Sequence, residues 1–196
     1  ESNLQVEFSF SPIDNYLTTT KTVDTTNVNL GIKSAVSNTD DFTFINVSNG
    51  TSNSKSTALS NKAYTHTAKD KTETIKTSGS SGSYTMKDGE KAAFTNITDT
   101  GNYITVSESK SDNIFIYSST YTVTDVQNGI VKANNAVGTS ANFLFKNEVS
   151  QKQATNYRVD FVNTPQVSNL NVSKTVKDII GNVANGSDNT EFDFSV

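Results

Sequence analysis

The sequence predicts an all-β sandwich that forms one unit of a tandem array, and three observations carry that prediction. The chain repeats itself: VEFSFSPIDNYLTTTKTV (6–23) lies over VDFVNTPQVSNLNVSKTV (159–176) without a gap, at an offset of 153 (170 − 17). Val6 matches Val159, Phe8 matches Phe161, Pro12 matches Pro165, Leu17 matches Leu170 and Lys21 matches Lys174. Repeats of this kind set the architecture before any local reading does. Apolar residues make up only 33% of the chain, which suits strands that bury one face and wet the other. Short alternating runs separated by turn signals recur along the chain, and no capped amphipathic helix interrupts them.

The repeat divides the chain into three parts. Residues 1–13 read as the last strand of a preceding repeat or an N-terminal extension, 14–165 as one complete sandwich, and 166–196 as the first strands of a following repeat. DFTFINV (41–47) answers EFDFSV (191–196) with a three-residue slip, which extends the match. The central unit has the size of a single domain with its own core.

Each element has its own justification. In 1–13, Val6, Phe8 and Phe10 alternate with Gln5, Glu7 and Ser9, and Pro12 ends the run. The unit opens with LTTTKTV (17–23), in which Leu17, Thr19, Lys21 and Val23 share a face. FTFINV follows after a polar connection over 24–40. From 49 to 83 the Ser/Thr/Asn/Lys-rich composition predicts solvated loops around one or two exposed strands, near AYTHT (63–67) and KTETIKT (71–77). KDGE (87–90), between SYTM and KAAFTNI, predicts a hairpin in which Asp-Gly supplies the positive φ. Further strands are predicted at 101–109, 113–126, 129–133 and 141–148, with YRVDFVN (157–163) closing the unit. Lys146 and Asn147 read as a turn.

Composition narrows the function. A net charge of −4 with Arg158 as the only arginine argues against nucleic acid and against bidentate phosphate recognition. With no cysteine there is neither a disulfide frame nor a thiolate metal site. No membrane-spanning run or signal peptide occurs, and no metal or cofactor motif is present. His66, the single histidine, reads as an exposed strand residue without an orienting partner. The five glycosylation sequons, at Asn46, Asn49, Asn96, Asn171 and Asn185, arise by chance in a chain this rich in Asn, Ser and Thr.

One pattern does carry chemistry. Three strands each place a polar group on their apolar face: Lys21 in phase with Leu17 and Val23, Glu108 with Ile104 and Val106, and Asn163 with Val159 and Phe161. Each is costly to bury alone and tolerable with the others. Apolar surroundings favour a neutral lysine, a nucleophile, and a protonated glutamate. Lys21 could then attack the amide carbon of Asn163 while Glu108 polarises the carbonyl and passes protons to departing ammonia. The product is a Lys–Asn isopeptide bond, formed once per domain without turnover.

These residues resemble a known group. LTTTKTV, and LNVSKTV (170–176) more closely, is similar to the L-x-V-x-K-x-V opening of the isopeptide-linked, CnaB-like repeat domains of Gram-positive sortase-assembled pilins and wall-anchored surface proteins. MKDGEKAAFTNITDTGNYITVSE (86–108) resembles that group's L-K-D-G-E and N-L-x-x-G-x-x-Y-x-V-x-E segments, and VDFVNT (159–164) its closing F-x-N-T strand. The resemblance implies an inverse immunoglobulin-like sandwich, with Lys21 and Asn163 as the crosslinked pair and Glu108 as the catalytic acid. Thr19 stands where the group usually has valine, and Phe10 occupies the position equivalent to Asn163. Lys174 opens the following repeat, or completes a partner's domain by strand exchange.

The expected function is therefore a structural stalk or pilus-shaft module rather than an enzyme, outside the cell on a bacterial wall or pilus. Its expected partners are neighbouring repeats or identical subunits in a fibre, with no cofactor, no nucleic acid and no membrane contact. The alternative is a ligand-binding adhesin domain that meets a host protein or glycan through 50–83 or the loops after Ile114. An exposed aromatic groove in that insertion would favour the adhesin.

Overall fold

The computed structural model describes residues 14–26, 28, 40–49, 57–110, 116–150 and 153–166. The predicted strand in 1–13, residues 113–115, the stretch 167–196 and with it Lys174 lie outside the described residues.

The described chain forms β strands throughout: β1 (Tyr16–Val23), β2 (Phe42–Asn49), β3 (Thr57–Ala58), β4 (Ala63–Thr67), β5 (Glu73–Thr77), β6 (Ser83–Met86), β7 (Lys91–Phe94), β8 (Tyr103–Lys110), β9 (Tyr117–Asp125), β10 (Ile130–Val137), β11 (Ser140–Leu144) and β12 (Asn156–Pro165). Seven of them make one sheet in the order β10-β9-β12-β1-β7-β4-β5. The second sheet runs β11-β8-β2-β3, with β6 also paired to β2. The two sheets pack as an immunoglobulin-like β-sandwich, so the all-β sandwich that the sequence predicts is observed.

The alternation that predicts the strands also builds the core. β1 buries Leu17, Thr19, Lys21 and Val23, β2 buries Phe42, Phe44, Asn46 and Ser48, and β12 buries Tyr157, Val159, Phe161 and Asn163. Phe44 meets Phe161 edge-on across the layers at 5.4 Å between ring centroids, and Tyr84 meets Phe94 likewise at 5.0 Å. Such pairs add about 0.5–1.5 kcal/mol beyond their buried area.

The first and last strands of the unit lie side by side. β1 and β12 are parallel neighbours, paired without a slip from Tyr16–Asn156 to Val23–Asn163. Parallel strands need a long crossover, and here the rest of the sandwich supplies it.

Two expectations are corrected. KDGE does not close a hairpin: β6 pairs with β2 in one sheet, whereas β7 pairs with β1 and β4 in the other. The turn carries the chain between sheets, with the positive φ supplied by Gly89 at +78°. The segment before it is also less exposed than expected. β5 is exposed at all five positions, but β4 inserts between β7 and β5 and buries Tyr64 and His66.

Candidate functional site

Lys21, Glu108 and Asn163 meet in the interior. Lys21 and Asn163 come from adjacent strands of one sheet, Lys21 opposite Phe161 and Asn163 opposite Val23. They are thus diagonal neighbours on one inner face, within a lysine side chain's reach. Glu108 approaches from the other sheet, on β8, where it pairs with Phe44 of β2. All three are buried, with 1%, 5% and 1% exposure respectively.

Glu108 touches both other groups. Lys21 Nζ donates to its two oxygens at 3.1 and 3.2 Å, and Asn163 Nδ2 donates to Oε1 at 2.5 Å. Among the described residues Asn163 Oδ1 finds no hydrogen-bond donor, which is uncommon for a buried polar atom. Lys21 Nζ also sits 3.9 Å from the centre of the Phe42 ring, whose face attracts a cation. Phe42 in turn packs edge-on against Tyr117 at 5.5 Å, and Tyr117 donates a short hydrogen bond to the buried Asp40 carboxylate. Burial, then Asp40, hold the Tyr117 phenol in its neutral form.

Burial shifts the lysine strongly. Removal from water lowers its pKa from 10.5 to about 8, against the opposing pull of Glu108. The lysine amine, made easier to deprotonate by burial, lies 3.1 Å from the Glu108 carboxylate.

The backbone of the lysine is held as closely as its side chain. Lys21 N–H donates to Glu90 O at 3.0 Å, and Gly89 N–H donates to Lys21 O at 2.9 Å. Val23 N–H donates to Asp88 Oδ1 at 2.8 Å. The turn that the sequence assigned to a hairpin therefore clasps β1 at the lysine.

Other polar groups in the core were not legible as a set. Thr19 shares a 2.8 Å hydrogen bond with the Tyr84 hydroxyl, which donates to Asn46 Oδ1 at 3.0 Å. This explains the polar residue at position 19. Asn46 is fully buried at 0% exposure, so its sequon is enclosed in the fold. His66 is a correction: it is buried rather than exposed, at 6% exposure, and pairs through Nε2 with Glu90 Oε2 at 3.0 Å. It lies in phase with Tyr64, and that phase was the available signal. Asn147, expected in a turn, does bind the backbone around it: its Oδ1 accepts from Val149 and Ser150 N–H, and its Nδ2 donates to Ala154 O.

No protein-family profile matches the chain, and no curated protein matches it. Solved structures do. The chain is similar to a crystal structure of the major pilin from Streptococcus pyogenes carrying a glutamate-to-alanine substitution, with 22% identity and a TM-score of 0.51, covering 78% of this chain and 48% of that one. A second structure of that pilin, with an asparagine replaced by alanine, gives 21% identity, the same TM-score and the same coverage. The chain spans about half the length of the pilin it matches. What the two share is the fold: this chain is a pilin-like, immunoglobulin-like β-sandwich.

Proposed function

We propose that this chain is a structural stalk or pilus-shaft module of a bacterial cell-surface protein, stapled by an autocatalytic isopeptide bond between Lys21 and Asn163. The observation that carries the reading is Glu108, a single buried carboxylate in hydrogen-bond contact with both the amine and the amide.

The chemistry balances with these three groups alone. The ion pair converts to a neutral amine and a carboxylic acid by moving one proton from Lys21 Nζ to Glu108. A half-turn of the Asn163 amide, whose two ends are assigned from their partners, brings Oδ1 to Glu108. The 2.5 Å contact is short for N–H···O and suits O–H···O, and the turn gives the orphan oxygen a donor. Lys21 Nζ then attacks Cγ as Glu108 protonates Oδ1. The surplus proton on Nζ passes through Glu108 to the amide nitrogen, the C–N bond breaks and ammonia leaves, and the proton on Oδ1 returns to Glu108 as the carbonyl of the new amide re-forms. Neither cofactor nor metal enters.

The topology suits the role. Force entering at Tyr16 and leaving at Pro165 would run along β1 to Lys21, across the bond to Asn163 and out, bypassing residues 22–162. In a fibre of like subunits outside the cell, where no disulfide is present to help, this is the useful place for a staple. The adhesin reading is weaker, because Tyr64, the tyrosine of the 50–83 segment, is buried in the core instead of lining an open groove.

Pulling the domain from its ends tests the role. The native chain should break its tether without releasing the stretch between Lys21 and Asn163. Glu108→Ala should release the 141 residues between them (22–162), a gain on the order of 500 Å. Equal gains in both chains would contradict the stalk.

A further inference from the structure

The 57–83 segment has no counterpart in the motifs above, yet it reaches the reactive strand through two contacts. His66 Nε2, on β4, meets Glu90 Oε2 at 3.0 Å, and that oxygen also accepts Lys87 N–H at 2.7 Å. Lys69, in the β4–β5 turn, reaches Asp88 Oδ2 at 2.5 Å. Its stem covers Gly89 so closely that a Cβ there would sit 2.8 Å from Lys69 Cγ. Glu90, Gly89 and Asp88 are the three residues whose carbonyl, N–H and carboxylate hold Lys21 and Val23.

The contacts form one chain of support: β4 and its turn hold the 87–90 turn, and that turn holds both backbone groups of Lys21. We infer that His66 and Lys69 are positioning residues for isopeptide formation, so that the segment docks the turn that aims Lys21 at Asn163. The inference rests on the crosslink reading and assigns the segment a part in it. Neither residue touches a reacting atom. Their effect is on where the lysine backbone lies, and a displacement of about 1 Å can cost on the order of a hundredfold in rate.

The test follows newly made chains in a cell-free translation reaction after synthesis is stopped, with intact mass under denaturing conditions counting those that have lost ammonia. The double variant His66→Leu/Lys69→Met should close about ten- to a hundredfold more slowly than the native chain. His66→Gln, which keeps an N–H to offer Glu90, should restore most of the rate. Lys69→Met alone removes only an exposed ammonium and should also slow closure, so the answer does not depend on the double variant folding. Urea midpoints of the same substitutions in a Glu108→Gln background, where no bond forms, should move too little to account for the slowing. Native-rate closure in Lys69→Met and in any folded double variant overturns the positioning role while leaving the crosslink intact. Slowing matched by an equal loss of stability in the Glu108→Gln background overturns it too. A native chain that never loses ammonia removes the crosslink reading itself.

Discussion

Lys21 is a cation placed among aromatic and aliphatic side chains, held by one carboxylate and one ring face. The reactive arrangement, neutral amine with carboxylic acid, contains as many protons as the ion pair, so the two interconvert without exchange with solvent. The rate of ammonia loss should therefore be flat from neutrality to about pH 8, where Lys21 titrates, and should fall above it as the pair loses its shared proton. Were Glu108 only a static counterion, the rate would instead rise through the same range as free amine accumulates. Stability of an uncrosslinked Asn163→Ala chain should run the other way. Between about pH 8 and 10.5 the unfolded lysine holds a proton that the folded one lacks, so stability rises with pH there; urea midpoints across that range measure it. Tyr84→Phe should cost about 1–3 kcal/mol in chemical denaturation, because Asn46 and Thr19 each lose a buried partner. The inward phase of Lys21, Glu108 and Asn163 was legible because a strand's period of two assigns faces without any knowledge of pairing. The Thr19–Tyr84–Asn46 and Tyr117–Asp40 contacts were not, because each joins residues from separate elements whose register the sequence leaves open.

The 87–90 turn shows the same division at the scale of an element. Asp-Gly correctly signals a tight turn with a positive φ, but turn chemistry encodes local backbone angles and not which strands pair on either side. Here β6 and β7 part company into different sheets, and the turn between them becomes a brace for β1. Gly89→Ala should therefore destabilise the domain by about 1 kcal/mol or more, seen as a lower urea midpoint, since φ of +78° strains any side chain. The added methyl would also press on the Lys69 stem. β4 was misjudged for a related reason. Its polar composition resembles that of a solvated edge, whereas its position inside the sheet, one strand from the edge, is a property of topology. The fully exposed β5, bearing Glu73 and Lys76, is the edge that composition does describe.

For the whole molecule, the sandwich brings its first and last strands into parallel contact, and the three polar residues lie across the seam between its sheets. A bond from Lys21 to Asn163 would close nearly the whole domain. On the loop-entropy account used for disulfides it would contribute about 5 kcal/mol, so thermal denaturation of Glu108→Gln should occur well below that of the native chain. The measurement that tests the central claim most directly is the intact mass of the purified chain under denaturing conditions. A deficit of one ammonia, absent in Lys21→Ala, Glu108→Ala and Asn163→Ala, is the predicted result. The full calculated mass in the native chain would contradict it.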